Sequence, residues 1–292
     1  MNLVVGATGM VGTEICRLLA SSGKPVKALV RAKSDAAKVE KLKGLGVAVS
    51  QGDLRDRKSL DVACQGVGAV IATASAMPFA YTPNDNTLHT ADQDGCLNLI
   101  AAARDAGVQH LVYTSFPPMA PSFPLQQAKR IVEAGLRGSG LAYTILQPTY
   151  FMEVWLSPAV GFDYANRKAV IYGTGDNPIS WISFLDVAQF AVASLSHPIA
   201  QNSVLELGGP ASVSPNNVVR IFENVGRKSF EVTHVPVEAL QANLAAATDP
   251  MQKSFAGLML NYAGATPIDM SAVLKACSIK PRTVEAYAHS VL

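Results

Sequence analysis

Through its first half the chain alternates short runs of aliphatic and β-branched residues with segments whose apolar positions recur every three to four residues. That rhythm predicts strands over 2–6, 25–31, 47–51, 69–73, 110–114 and 142–146, with helices between them over 11–22, 35–45, 58–64, 88–106 and 125–137. Strands separated by helices in this way make a parallel sheet covered on both faces, because each return to the sheet runs through a right-handed crossover. The expected architecture is therefore an α/β, doubly wound Rossmann sheet of six strands.

After Pro148 the alternation loosens into strand pairs and helices of unequal length, joined by turns such as GTGDNP and GGPASVSP. This portion reads as a smaller C-terminal α+β lobe, so the expected division is 1–150 for nucleotide binding and 151–292 for substrate, interleaved rather than independent. Within it Asp186 and Ser214 are candidate helix caps, the latter with Pro215 at the first helical position. An alanine-rich helix is expected over 237–262.

Composition narrows the class. Of 292 residues, 49% are hydrophobic and 16% charged, which suits a well-buried core and excludes a polar disordered chain. Every apolar stretch is interrupted before 18 residues, so no membrane span is expected. A net charge of +2 gives no bulk reason to expect a nucleic-acid partner. The chain opens on a strand and a glycine turn without a basic, then apolar, leader pattern, which leads to the expectation of a cytoplasmic protein. Cys16, Cys64, Cys96 and Cys277 are widely spaced among apolar neighbours and read as buried thiols. The five histidines show no metal-binding spacing, so no metal is expected.

Candidate chemistry begins at Gly6-Ala7-Thr8-Gly9-Met10-Val11-Gly12, a GxxGxxG pattern between a strand and a helix. Gly6 and Gly9 let the backbone turn and approach a diphosphate, Gly12 lets the helix pack against the sheet, and Thr8, Met10 and Val11 offer backbone amides at a positive helix end. About 20 residues beyond the turn, where an acid would select NAD, stands Arg31. Between 24 and 43 there are seven basic residues against two acidic ones, and Arg31, Lys33 and Ser34 favour a 2′-phosphate, hence NADP(H). Asp53 and Leu54 after strand three are expected at the adenine, and Ala72, Thr73 and Ala74 beside the cofactor. The segment 76–89, rich in Pro, Asn and Asp, is expected as a lid.

These residues, with GDL at 52–54 and GVQHLVYTSF at 107–116, resemble the NmrA-like, isoflavone-reductase-like group of atypical short-chain dehydrogenases. AYTILQPTYFME and ISWISFLDVAQFAVASL extend the likeness to about residue 210. The resemblance implies a reductase that uses NADPH, with Lys129 as the polar catalytic or cofactor-orienting group and Ser115 as a second catalytic residue. It also exposes a departure: the superfamily's YxxxK tyrosine is replaced by Leu125, which cannot exchange a proton. Phe116, Tyr150, Phe151 and Met152 form an expected apolar rim for a small apolar carbonyl, quinone or enone. The missing tyrosine keeps a second reading open, an NADP(H)-sensing regulatory or assembly protein that works through a protein partner and performs no chemistry.

Overall fold

A computed structural model describes residues 1–77 and 86–292. The first half runs β1 (Asn2–Val5), α1 (Met10–Ser21), β2 (Val26–Val30), α2 (Ala36–Gly44), β3 (Ala48–Gln51), α3 (Arg57–Cys64) and β4 (Ala69–Ala72). A π-helical stretch over Leu88–Gly95 continues into α4 (Cys96–Asp105), then β5 (His110–Thr114), α5 (Pro124–Arg137) and β6 (Ala142–Pro148). Beyond it come β7 (Tyr150–Phe151), α6 (Met152–Trp155), β8 (Phe162–Asp163), β9 (Lys168–Tyr172), β10 (Ile179–Ile182), α7 (Phe184–Ser194), β11 (Ser203–Leu207) and β12 (Ser212–Val213). The chain finishes with α8 (Pro215–Gly226), β13 (Glu231–Val235), α9 (Val237–Ala246), α10 (Pro250–Ala263), α11 (Ser271–Ala276) and α12 (Val284–Val291).

The principal sheet is parallel throughout, in the order β11-β6-β5-β4-β1-β2-β3. Strand order reverses between β1 and β4, which opens a crevice at the carboxyl ends of those two strands. Because successive strand residues point to opposite faces, Val4 joins Ile15, Leu19 and Phe190 on one side of the sheet, while Leu3 and Val5 join Leu60, Leu99 and Val132 on the other. Each such side chain contributes about 1.5–3 kcal/mol on burial, so both faces hold the sheet firmly. Two three-stranded sheets, β12-β10-β7 and β13-β9-β8, build the smaller lobe around an aromatic core that includes Trp181, Phe222 and Tyr262.

Several expectations are corrected. The principal sheet has seven strands among the described residues, not six: β11 returns from the second half of the chain to pair with β6, Val204 opposite Ile145. The expected single helix over 237–262 is two helices, because Asp249 accepts hydrogen bonds from the Met251 and Gln252 amides while Pro250 takes the first position of a new helix. Residues 88–106 begin as a π-helical stretch rather than as α-helix. Ser183, not Asp186, caps α7, since its hydroxyl accepts from the Leu185 amide. Asp186 turns inward instead and accepts from the Arg282 amide at 2.9 Å, and burial raises its carboxyl above the ordinary range. Ser214 caps α8 with Pro215 following it.

The Asp249 cap is a separable device. Asp249→Ala is expected to cost about 1 kcal/mol, lowering the melting temperature by about 2–4 °C in a thermal denaturation scan. An unchanged melting curve would mean that packing alone holds the break between α9 and α10.

Candidate functional site

The corner between β1 and α1 is built from closely approaching backbone. Gly6 has φ +86°, a left-handed conformation that favours glycine, and a Cβ there would lie 2.7 Å from the Ala74 amide nitrogen and the Thr73 hydroxyl. A Cβ on Gly12 would stand 2.2 Å from the Gly6 carbonyl oxygen, so α1 can sit this close to the sheet only with glycine at that position. Gly9 differs. Its Cβ would meet only the Gly6 carbonyl, at 3.3 Å, and its amide already donates to that same oxygen at 3.0 Å. The fold therefore tolerates a side chain at Gly9 with a slight adjustment, and the space in front of it is left for a ligand.

Helix α1 is also uncapped by any side chain, whereas α2, α3, α7, α8, α10 and α12 carry Asp, Ser or Thr caps. Its first-turn amides have no side-chain acceptor and lie at the positive end of the helix dipole, directly after Thr8 and Gly9 of the cleft lining. In front of them lies a cleft of about 400 Å³ lined by Gly6, Thr8, Gly9, Arg31, Asp53, Leu54, Thr73 and Ala74 among the expected residues, together with Ser34, Ser75, Ala76 and Ala91. The Ser34 hydroxyl accepts from the Arg31 amide at 3.0 Å, which folds the segment after β2 into a tight turn at the cleft edge. At the other side Arg55 grips Asp53 through its guanidinium and its own amide, which holds the Asp53 carboxyl below the ordinary carboxylate range. The amide of Asp53 is in turn bonded to the Ser59 hydroxyl, so the turn after β3 is fixed in shape.

Other expected residues lie off the cleft. Met10 and Lys33 are exposed, Val11 packs against the core, Gly12 is buried beneath Gly6, and Ala72 is enclosed in the sheet core. The expected lid falls largely on residues 78–85, which lie outside the described residues; of its remainder, Asn86 lines the cleft and Thr87 caps the following π-helical stretch.

Lys129 and Ser115 are buried and do not line the cleft. The Lys129 ammonium, 6% exposed, stands 3.3 Å from Asp92 Oδ1, and Asp92 is wholly buried. Asp92 Oδ2 accepts from the Ala76 amide at 2.7 Å, so this carboxylate joins the lysine to the cleft wall. The Ser115 amide donates to Leu146 O at 2.7 Å, and its hydroxyl accepts from Arg130 Nη2 at 3.1 Å. Arg130 also donates to the Phe116 carbonyl and pairs with Glu133, which further accepts from Gln147 Nε2 at 2.9 Å and from Arg137 Nη2 at 3.4 Å. Asp92, Arg130, Glu133 and Gln147 were not anticipated from sequence. The available signal was a polar residue on an apolar stripe: Asp92 lies four residues from both buried Leu88 and buried Cys96, and Glu133 lies four residues from Lys129.

The aromatic rim needs correction. Met152 is fully buried, and Tyr150 packs edge-on against Trp155, Trp181 and Tyr262, so both belong to the core of the smaller lobe. Phe151 packs against the core cluster shared by α1 and α7. Only Phe116 remains near the cleft, stacked on Phe123 with ring centres 5.9 Å apart. Its neighbours form an apolar group, Leu88, Leu125, Met251, Met119, Phe255 and Leu258, that also meets Ala76. The contribution of α10 to that group has no counterpart in the sequence reading, because nothing local announces that this distant helix docks on α5.

A doubly wound sheet with an uncapped glycine corner at its switch point defines a Rossmann-type α/β protein. Residues 2–288 match the NmrA-like family, and the chain belongs to it. Among its relatives is an NAD(P)H azoreductase of Xenophilus azovorans, 34% identical over 94% of this chain and 90% of that protein. Another is the photosystem II assembly factor Ycf39 of Synechocystis, 29% identical over 82% and 72%. In three dimensions the chain is similar to an NADPH-dependent quinone oxidoreductase of Escherichia coli in complex with NADPH, with TM-score 0.79, 22% identity and coverage of 100% and 99%. A triphenylmethane reductase of Citrobacter sp. complexed with NADP(H) gives TM-score 0.79 and 21% identity over the full length of both chains. Among the described residues no helix is long and apolar enough to cross a membrane, and no three His, Cys, Asp or Glu stand together to hold a metal ion.

The two glycines should separate by experiment. Gly12→Ala forces a backbone clash and is expected to destabilise the fold by about 1–3 kcal/mol. Gly9→Ala should leave the melting temperature within about 3 °C of the parent while weakening dinucleotide binding about tenfold or more in calorimetry. Equal losses of stability in both variants would overturn this division of roles.

Proposed function

We propose that the chain is an NADPH-dependent reductase that delivers hydride to an apolar carbonyl, quinone or enone. The observation that carries this reading is the buried Lys129 ammonium, linked through Asp92 to the Ala76 amide at the inner end of the cleft. Removing an ammonium from water costs several kcal/mol before its partner offsets that cost, so its burial beside the cleft wall supports a role in the site rather than in stability. The azoreductase, quinone oxidoreductase and triphenylmethane reductase relatives support the same reading.

The residues of the cleft fit the cofactor. The first-turn amides of α1, with the space before Gly9, suit a diphosphate. Arg31 and the Ser34 turn suit the additional phosphate of NADP, and Asp53 and Leu54 flank the adenine end. When bound, NADPH supplies the hydride. Lys129 holds the proton that the substrate oxygen takes up, directly or through a water that it retains, and the Ser115 hydroxyl, which accepts from Arg130, keeps its own proton to donate to the same oxygen. Phe116 with Phe255 and Leu258 gives an apolar wall beside Ala76, which supports a small apolar substrate rather than a charged metabolite.

A second reading is favoured by two specific observations. Leu125 occupies the tyrosine position and is buried, and Ycf39 is an assembly factor. On that reading the protein binds NADP(H) and acts through a protein partner without turnover.

Loss of absorbance at 340 nm on mixing the protein with NADPH and a panel of quinones, azo compounds and aryl carbonyls tests the choice. Lys129→Met is expected to lower kcat about 100-fold or more. Tight NADPH binding in calorimetry with no turnover across the panel would favour the assembly reading. Arg31→Ala is expected to weaken NADPH about tenfold while NADH affinity stays the same, since about 1.4 kcal/mol of contact to one phosphate is lost. An unaltered ratio of the two affinities would remove Arg31 from that role.

A further inference from the structure

The Asp92 carboxylate has two oxygens with different duties. Oδ2 accepts from the Ala76 amide at 2.7 Å, and Ala76 is part of the cleft wall that continues from β4. Oδ1 stands 3.3 Å from the Lys129 ammonium but has no aligned hydrogen-bond partner among the described residues, so the contact is an ion pair whose proton geometry stays open. Asp92 sits at 0% exposure on the π-helical stretch before α4, a segment that packs directly on α5, where Lys129 lies. A buried carboxylate with no solvent to satisfy it fixes its partners strongly, because moving either one leaves a charge or an amide unpaired.

We propose that Asp92 is a positioning residue that couples the cofactor wall to the proton-holding lysine: one oxygen aims and charges Lys129, and the other tethers the loop beside the cofactor. The inference deepens the reductase reading and rests on it only for its catalytic half; the tether to Ala76 is tested by binding alone.

Asp92 is the carboxylate paired with Lys129, while Glu133, one turn further along α5, is taken up by Arg130, Arg137 and Gln147. The Tyr113 ring of β5 lies 5.1 Å from the ammonium, and Cys96 of α4 lies beyond Asp92. Burial pushes the Cys96 thiol up to about 12 and the Tyr113 hydroxyl well above its ordinary value, so both stay neutral. Without the carboxylate, an ammonium in this apolar setting is disfavoured.

Asp92→Asn and Asp92→Ala divide the two duties. An asparagine oxygen still accepts from the Ala76 amide, but its NH2 then confronts the Lys129 ammonium, donor against donor. Calorimetric titration with NADPH is expected to give Asp92→Asn within about twofold of the parent and Asp92→Ala at least fivefold weaker. With menadione as the electron acceptor, Asp92→Asn is expected to lose about tenfold or more in kcat with KM for NADPH nearly unchanged. A residue that only stabilised the fold would not produce this split between kcat and KM.

Parental NADPH affinity in Asp92→Ala would overturn the tether, and a parental kcat in Asp92→Asn would overturn the aiming role. Should the parent protein turn over no acceptor, the reductase reading fails with it, while the calorimetry still decides whether Asp92 holds the cofactor wall. If Asp92→Ala does not fold, the effect of NADPH on the melting temperature of Asp92→Leu, which fills the same space without an acceptor, takes its place: a stabilisation reduced by more than half supports the tether, and one equal to the parent's overturns it.

Discussion

The β1–α1 corner is the constraint on which the site depends. Helix α1 begins where the chain leaves the sheet, and only because Gly12 has no side chain does its first turn lie against the Gly6 carbonyl. From that approach follow the direction of α1, the placement of its free amides over the carboxyl edge of the sheet, and the route of the chain after β4, which passes Gly6 at a distance no Cβ would allow. Thr73 seals the contact by donating from both its amide and its hydroxyl to Val5 O. A concave, positively polarised end of the sheet is the outcome.

Behind that corner, two buried polar systems share α5. One is the Asp92–Lys129 pair, and the other runs from Ser115 through Arg130 and Glu133 to Gln147 of β6. Lys129 and Glu133 are four residues apart, on the stripe by which α5 packs against the sheet. Charges on such a stripe are costly to bury and lend little net stability, so their value lies in fixing positions. Together they hold the end of β5, the start of α5 and the wall after β4 in one frame, with Phe116 pinned at its edge by Arg130.

The smaller lobe reaches this frame through α10. A Cβ at Gly257 would stand 2.7 Å from the Phe123 ring, so α10 lies close over the start of α5, and the Ser254 hydroxyl accepts from the Leu125 amide. Helix α5 has no side-chain cap of its own, and Ser254 satisfies one of its first amides from a residue 129 positions away. The docking carries Met251, Phe255 and Leu258 to the apolar wall beside Ala76. Meanwhile β11 and α7 return to the principal sheet, where Phe190 and Leu205 share a core with Ile15 and Leu19.

The sequence by itself determined the strand and helix rhythm of the first half, the phosphate-sized corner at Gly6 to Gly12 and the location of Arg31, because each rests on contacts between residues close in the chain or on a backbone conformation that one residue type permits. The family resemblance, rather than local pattern, points to Lys129 on α5. Only the tertiary structure decided what Lys129 faces, since Asp92 lies 37 positions earlier on a different helix and ion pairing carries no local periodicity. For the same reason the seventh strand, the inward turn of Asp186, the burial of Tyr150 and Met152 in the lobe core, and the reach of α10 to the site were decided by packing between distant segments. Local pattern fixes which face of an element is apolar; which partner covers that face is set by how the whole chain closes on itself.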